Sequence, residues 1–349
     1  MQLLNHNRER YMKSALRLFK LSKYLLLLNS FYFAANANAD VTWEKISPNI
    51  QFLKQQHKLR FYDSNQVLIE GSKCALLVDT SGNFAAVEQL ASDLKKHLTT
   101  PLCYLVATHF HDDHLLGMAV MQHFYPDAQL ITHQQVKTDF ALYQQAFNDK
   151  LEGFEKSIEL SYQRLATLPE NEQAQWRTKL ERAKQRLFRW QKYQLNAPEI
   201  SINTNKTLDL GNFDITLNAH QAHTNGDLTI TTNSGSTLIG GDIVDWLPYP
   251  GHGELSSWRA LLQQYINDSV LKTIIPGHGE LTNKSQLQQS HAFLTAITEH
   301  VANNSGQTIE QLMLSFPDVA IKPYMQESLN AKSSNLFLQA GLIRAINAK

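Results

Sequence analysis

Residues 109–114 read His-Phe-His-Asp-Asp-His, which places three histidines and two aspartates, all of metal-binding type, in one short run. The run follows an apolar strand predicted from Leu102 to Ala107 and precedes a predicted helix. At the end of a strand, His109 and His111 point the same way, because side chains two residues apart share a face. Asp113 and His114 lie in the turn beyond and can serve a neighbouring site. Without a metal, burying such a cluster would cost several kcal/mol, so the run predicts metal binding.

The composition limits the kind of protein that carries this run. The chain has 349 residues, of which 43% are hydrophobic and 18% charged, as in ordinary globular proteins. Residues 1–39 hold six Lys or Arg and one Glu, which leaves 26 basic and 31 acidic residues elsewhere. This mildly acidic body argues against a nucleic-acid partner. Because Cys74 and Cys103 are the only two cysteines, a metal must be held by His and carboxylates.

The first 39 residues have the pattern of a secretory signal peptide. Basic residues after Met12 precede an apolar run from Tyr24 to Ala35, and the small-residue pattern Ala37-Asn38-Ala39 follows. The apolar run has about 12 residues, whereas a membrane span needs roughly 20. We therefore expect cleavage after Ala39, a mature chain of residues 40–349 that is periplasmic or secreted, and no stable membrane association after cleavage.

Strand and helix patterns alternate on both sides of a long helical segment, which predicts an α/β fold. The alternation runs from Ile50 to Phe124 and again from Thr207 to Ile275. Between them, about residues 135–195 show two apolar seams with spacings of three and four residues, joined by a turn that contains Pro169. This spacing predicts an inserted antiparallel helical hairpin. A helical C-terminal tail is expected over about residues 300–349.

The second arm of the hairpin is strongly basic, with seven Lys or Arg and one Glu between Trp176 and Lys192. Two interpretations remain open: a solvated face paired with acidic residues of the first arm, or a surface that binds an anionic partner. The aromatic residues of the seams are too many to leave in water. We therefore expect the hairpin to close over the metal site as a lid or to join a second copy in a homodimer.

The 109–114 run resembles the His-x-His-x-Asp-His signature of the metallo-β-lactamase superfamily of hydrolases. Four further motifs occur in the order of that family: Val78-Asp79-Thr80, His223-Thr224-Asn225-Gly226-Asp227, Gly240-Gly241-Asp242 and Pro276-Gly277-His278-Gly279. The resemblance spans roughly residues 65–290 and leaves out the hairpin and the tail. It implies an αββα sandwich, in which two β-sheets face each other with helices outside.

The resemblance also implies a dinuclear zinc site that provides a hydroxide near neutral pH. His109, His111 and His223 would bind one ion, Asp113, His114 and His278 the other, with Asp242 bridging both. Two cations lower the pKa of a shared water enough to give hydroxide. Asp113 would orient this hydroxide and pass its proton to the leaving group. Asp79 would hold the His/Asp loop by hydrogen bonds.

Position 242 bears on the substrate. Asp242 resembles the bridging Asp that the thioesterase, lactonase and phosphodiesterase branches of the superfamily have at this position. The zinc β-lactamases of the superfamily have Cys or Ser there. The sequence therefore predicts a secreted dinuclear zinc hydrolase that acts on a small-molecule ester, lactone, thioester or amide through a metal-bound hydroxide. Two alternatives stay open: β-lactamase-like activity, and an iron-binding oxidoreductase of the same superfamily, because His and Asp ligands suit iron as well as zinc.

The Pro- and Gly-rich stretch 246–253 follows Asp242 and is expected to run beside the metals. Tyr249 is a candidate donor to a substrate carbonyl or oxyanion. Trp246 and His252 are expected to line the substrate loop, and packing of the aromatic residues over Trp258 is the alternative.

Cys74 and Cys103 each lie five residues before a motif residue, Asp79 and Thr108 respectively. Adjacent parallel strands with level ends would place the two thiols side by side. Because neighbouring strands fit disulfide torsions poorly, we expect two buried free thiols.

Overall fold

The computed structural model of the chain describes residues 43–54, 63–232, 234–325 and 328–348. The predicted signal peptide lies outside these residues. Within them, no helix is both long enough and apolar enough to cross a membrane. The described chain divides into a large compact unit, within residues 42–152 and 185–349, and a small helical unit, Gly153–Lys184.

The first sheet of the large unit has seven strands that follow the chain order from β1 to β7. They are β1 (Glu44–Ser47), β2 (Ile50–Leu53), β3 (Gln66–Glu70), β4 (Ala75–Val78), β5 (Leu102–Val106), β6 (Gln129–His133) and β7 (Ile200–Ile202). Strands β1 to β4 pair antiparallel and β4 to β7 pair parallel. Parallel pairing requires long crossovers, and helices provide them. These helices are α1 (Phe84–His97), α2 (Asp112–Leu115), α3 (Met118–Phe124), α4 (Gln134–Thr138), α5 (Phe140–Leu165) and α6 (Glu170–Trp190).

The second sheet has five strands in the spatial order β12-β11-β10-β9-β8. They are β8 (Lys206–Asp209), β9 (Asp214–His220), β10 (Asp227–Thr232), β11 (Thr237–Gly241) and β12 (Thr273–Pro276). Strands β8 to β11 form an antiparallel meander, and β11 pairs parallel with β12 through the crossover helix α7 (Leu255–Asn267).

The two sheets share one apolar core, which explains the alternation read from the sequence. Ile50 and Phe52 of β2 are buried there, and so are Ile215 and Leu217 of β9. Each such side chain contributes about 1.5–3 kcal/mol when it leaves water. The prediction of an αββα sandwich is therefore confirmed.

A helical layer covers the outer face of the second sheet. Leu238 and Ile274 pack into this layer, whereas their neighbours Ile239 and Ile275 face the first sheet. Besides α7, the layer contains α8 (Lys284–Asn303), α9 (Ile309–Leu314), α10 (Asp318–Ile321) and α11 (Ser328–Asn347). Trp258 lies fully buried at its centre and donates a hydrogen bond from Nε1 to the Ile243 carbonyl, at 2.8 Å. The C-terminal segment thus forms part of the hydrophobic core.

Helices α5 and α6 occupy the segment in which the hairpin was predicted. Within the small unit, the seam positions Ile158, Leu165, Leu180 and Ala183 are buried. The Tyr162 hydroxyl donates to Glu181 at 2.5 Å, which links the two helices. The role of this arm as a lid or a dimer contact stays a prediction.

The base of the two helices belongs to the large unit and packs there through aromatic residues. The Phe84 ring of α1 lies 5.4 Å from Phe147 and 5.7 Å from Trp190. Near the start of α5, Tyr143 stacks on Phe110 of the His motif, with ring centroids 5.2 Å apart. Helix α5 therefore begins at the edge of the sandwich that carries the metal-binding motif.

The expectation of two free thiols is wrong, because Cys74 and Cys103 form a disulfide. The strands β4 and β5 are adjacent and parallel, but Ala75 pairs with Leu102 while Leu76 pairs with Tyr104. Cys103 is therefore an extra residue at a register shift, and such a bulge re-aims its side chain. Cys74 lies just before β4 begins, outside the paired ladder. The bond thus avoids the geometry of two directly paired strand residues.

We expect the double variant Cys74→Ser/Cys103→Ser to lose about 3–4 kcal/mol of unfolding free energy, because the bond closes a loop with a sequence separation of 29. Urea denaturation of wild type with and without reductant, beside the variant, measures this. The unreduced, denatured wild type should show no titratable thiol. Two reactive thiols per chain would contradict the disulfide.

Candidate metal centre

The first group of ligand-type residues forms where β5 and β9 end. His109 and His111 follow β5, and His223 follows β9. The Nδ1 atom of His111 lies 3.0 Å from His109 Nε2 and 3.2 Å from His223 Nε2. The structure thus brings three ring nitrogens together, although they come from segments more than one hundred residues apart.

The second group lies beside the first and combines the helix start after β5 with the end of β12. His114 Nε2 and His278 Nε2 are 3.3 Å apart. Asp113 Oδ2 lies 3.4 Å from His278 Nε2 and 3.8 Å from His114 Nε2. The rings of His114 and His278 are buried, whereas the Asp113 carboxylate is partly accessible. Asp113 is therefore a member of this group with access to solvent.

Asp242 lies between the two groups and turns one oxygen to each. Its Oδ1 is 3.2 Å from His114 Nε2 and 3.4 Å from His278 Nε2. Its Oδ2 is 3.5 Å from His223 Nε2 and 3.7 Å from His109 Nε2. This placement is the one expected of a bridging carboxylate.

Two glycines make room for Asp242. A Cβ atom at Gly277 would collide with Oδ1 of Asp242. Gly241 has a φ of 52°, in the left-handed region that favours glycine, and a Cβ there would lie 2.8 Å from Oγ1 of Thr108. The glycines in these two sequence motifs therefore serve close packing around the carboxylate.

Asp79 directs the ligand atoms of two histidines. Its Oδ2 accepts from Thr108 Oγ1 at 2.8 Å and lies 2.9 Å from His114 Nδ1, while its Oδ1 accepts from the Thr108 amide at 2.8 Å. Thr108 Oγ1, having donated to Asp79, lies 3.0 Å from His109 Nδ1 and can accept its proton. Both rings thereby keep the Nε2 lone pair free to bind a metal. The structure thus brings Asp79 to the position expected of it.

The spacing of the nitrogens tests whether the residues fit a metal. Two imidazole nitrogens bound tetrahedrally at about 2.0–2.1 Å from one zinc ion would be ~3.3 Å apart. Three nitrogen pairs, two in the first group and one in the second, are separated by 3.0 to 3.3 Å. In addition, the buried Oδ1 of Asp242 has no hydrogen-bond partner among the described residues. The donor set therefore fits metal coordination.

The histidines of this site fall into two kinds by the direction in which their pKa is shifted. Burial lowers the pKa of His223 to about 4 and holds those of His109 and His111 well below the usual range. Burial also disfavours the charged form of His278, but Asp242 and Asp245 outweigh it and raise its pKa to about 8. The second group therefore lies in a more negative environment than the first.

The His223 loop is shaped by a buried carboxylate that has no ligand role. Asp227 accepts from the amides of Ala222 and Thr224 at 3.0 and 2.9 Å, and from the Thr224 hydroxyl at 2.7 Å. Burial raises the pKa of Asp227 to about 6, and these hydrogen bonds oppose that rise. Asp227, the last residue of the motif that begins at His223, thus fixes the turn that carries His223.

The loop after Asp242 brings Tyr249 and His252 next to His111. The Tyr249 ring lies 5.9 Å from the His111 ring, and its hydroxyl packs against Gly251. His252 Nδ1 lies 2.7 Å from His111 Nε2, so His252 contacts a ligand-type residue directly. Trp246 does not join them.

Trp246 packs on the C-terminal helices. Its Nε1 donates to Gln289 at 2.9 Å, and its ring lies 5.4 Å from that of Tyr324. Trp246 follows the turn of 3₁₀ helix at Asp242–Val244 and lies against this helical layer.

Three residues near the site were missed by the sequence reasoning. Thr108 holds His109, and its position directly before the motif was an available signal. Asp245 accepts from the His278 amide at 3.0 Å and forms a further metal-capable group with Asp242 and His278. Asp63 is buried, and burial raises its pKa to about 6, but no sequence pattern marks it.

We expect Asp79→Asn to weaken metal binding about 10- to 100-fold, because its NH₂ group does not accept the hydrogen bond that Oδ2 accepts from His114 Nδ1. The asparagine tolerates the backbone φ of 57° at this position, so the backbone conformation is kept. Competition with a chromophoric chelator measures the affinity. The thermal midpoint, recorded in parallel, separates this effect from general unfolding. An unchanged affinity would show that Asp79 does not orient His114.

The fold and the site together define an α/β sandwich with a His/Asp metal centre at one edge. A sequence model of the Metallo-beta-lactamase superfamily matches residues 59–278, which is more than half of the chain. The chain therefore belongs to the metallo-β-lactamase superfamily, whose members are generally hydrolytic metalloenzymes. The resemblance read from the five motifs is confirmed.

The solved structures that are similar to this chain include the following three. A metallo-beta-lactamase from Pontibacter korlensis is 20% identical, with 73% of this chain and 98% of that chain covered and a TM-score of 0.49. VMB-1 is 18% identical, with 73% and 97% covered and a TM-score of 0.47. The DIM-1 metallo-beta-lactamase is 16% identical, with 74% and 98% covered and a TM-score of 0.48. No curated protein matches the chain.

Proposed function

We propose that this chain is a secreted dinuclear zinc hydrolase that acts on a small-molecule ester, lactone, thioester or amide. The observation that carries the proposal is the position of Asp242, whose two oxygens each face one group of histidines within 3.2 to 3.7 Å. A carboxylate in this position can bind two cations at once and hold them close together.

When bound, a pair of zinc ions supplies Lewis-acid activation of a carbonyl and of water at neutral pH. The protein's own residues supply position and proton transfer. The partly accessible Asp113 Oδ2 accepts a proton from the attacking water and returns it to the leaving group. Tyr249, whose hydroxyl stays protonated because burial raises its pKa, donates to the developing oxyanion.

Secretion is supported by two independent features. The N-terminal sequence has the pattern of a signal peptide. The Cys74–Cys103 disulfide suits an oxidising compartment, because cytosolic reductants keep most thiols reduced. We therefore propose a periplasmic or extracellular location.

The test is a hydrolysis panel of lactones, thioesters, β-lactams and phosphodiesters on the zinc-loaded protein. The His109→Ala variant, prepared in the same way, controls for contaminating hydrolases. We expect cleavage of one carboxylic ester, lactone, thioester or amide class that is lost in the variant. Cleavage of phosphodiesters alone would contradict the proposal.

Metal analysis of protein purified without added metal tests the iron-binding alternative. His and Asp ligands accept iron as well as zinc, so composition alone does not decide between them. We expect zinc. Iron at full occupancy, together with no hydrolysis across the panel, would favour the oxidoreductase.

A further inference from the structure

The C-terminal helix α11 lies outside the residues matched by the superfamily, 59–278, yet it packs on the loop beside the metal ligands. The Phe337 ring lies 4.9 Å from the Tyr249 ring. A Cβ atom at Gly341 would lie 2.6 Å from Cγ of Pro250, so the helix backbone approaches the loop closely. Helix and loop are thus in close contact over about one turn of α11, from Phe337 to Gly341.

A third contact comes from Arg344 in the last turns of α11. Its Nε donates a hydrogen bond to the carbonyl of Gly253 at 2.6 Å. A guanidinium donates in a fixed planar geometry, so it can hold one carbonyl in place. On the other side, a Cβ atom at Gly253 would collide with the Ala222 carbonyl. The residue after His252 is therefore held between α11 and the His223 loop.

This anchoring matters because His252 contacts a ligand-type histidine. His252 Nδ1 lies 2.7 Å from His111 Nε2, while His111 Nδ1 faces His109 and His223. When His111 Nδ1 binds a metal, the single proton of the neutral ring must sit on Nε2. His111 Nε2 then donates to His252 Nδ1, which fixes both the tautomer and the orientation of the His111 ring.

We propose that His252 is a positioning residue for the ligand His111 and that α11 holds His252 in place through Arg344. The proposal rests on the metal site of the proposed function. It assigns to this chain's C-terminal helix an indirect part in metal retention, exerted through His252 and His111.

A matched pair of substitutions tests whether His252 Nδ1 is needed as the acceptor for His111 Nε2. In His252→Asn the amide oxygen can occupy the place of Nδ1, whereas His252→Ala removes the acceptor. We expect zinc affinity, measured by chelator competition, to fall about 10-fold or more in His252→Ala and to stay near wild type in His252→Asn. Equal, wild-type affinity in both variants would overturn the role of His252.

A second pair tests the helix. Arg344→Met keeps much of the side-chain length but removes the donor, and Leu336→Ala changes an exposed residue of the same helix. We expect faster zinc release to chelator in Arg344→Met and no change in Leu336→Ala. Wild-type release in Arg344→Met, with faster release in His252→Ala, would overturn the role of α11.

Imidazole nitrogen NMR of zinc-loaded wild type tests the tautomer without any substitution. We expect His111 to be protonated at Nε2, and protonation at Nδ1 would overturn the proposal even if the variants failed to fold. A wild-type protein that bound no metal would refute the proposed function as well. Tight wild-type binding with no effect of His252→Ala would refute the positioning role alone.

Discussion

Asp242→Ala is expected to lose at least half of the bound metal and about a thousandfold or more of the hydrolysis rate, because several kcal/mol of transition-state stabilisation depend on the paired cations. The carboxylate stands between His114 and His278 on one side and His109 and His223 on the other. Its removal leaves four imidazoles without the negative charge that holds both groups together. Plasma mass spectrometry gives the metal content, and initial rates on the best substrate of the panel give the activity.

Asp214→Asn is the control for this experiment, since Asp214 is an exposed carboxylate at the start of β9. It should keep wild-type metal content and rate. The conservative change Asp242→Asn keeps the side-chain volume and one carbonyl oxygen, so it should retain more metal than the alanine variant. Full metal content together with full activity in Asp242→Ala would refute the bridging role.

Asp113→Asn is expected to keep most of the metal and to lose hydrolysis by about 10²–10⁴-fold, the range typical of general acid–base catalysis. The amide oxygen can still face His278, but an amide does not accept the proton of the attacking water. The neighbouring variant Asp112→Asn changes an exposed carboxylate one residue away and should behave as wild type. Metal content and rate are measured on the same preparations.

The ratio of the two losses decides what Asp113 does. A large loss of rate with little loss of metal fits the transfer of a proton. Parallel losses of metal and rate would mean that Asp113 serves mainly as a ligand. The distance of 3.4 Å between its Oδ2 and His278 Nε2 permits either role, so the measurement is informative.

Much of the site could be predicted because its signals are local in sequence. Each candidate ligand motif is a short run at the end of a strand, and apolar residues with flanking turns predict strands. His109, His111 and Asp113 are separated by single residues, so their proximity follows from backbone geometry alone. The long-range meeting with His223 and His278 came from the order of the family motifs, and the structure brings these residues to the same edge.

What could not be predicted depends on contacts between distant segments. Cys103 bonds to Cys74 because a register shift places it outside the ladder, and no local pattern reports a shift between two strands. Trp246 turns toward Tyr324, although its place in the loop suggested the metals. Its orientation is set by packing against the C-terminal helices, which are distant in sequence.

The sequence by itself determined the fold class, the candidate ligand types and the order of the motifs, because periodicity and spacing are properties of each segment alone. Only the tertiary structure decided the disulfide, the acceptor role of Asp79 toward His114, and the contact of His252 with His111. These depend on how whole elements pack at close range, where shifts of less than an ångström make or break a hydrogen bond. That sum of many weak contacts is not encoded in any single stretch of the chain.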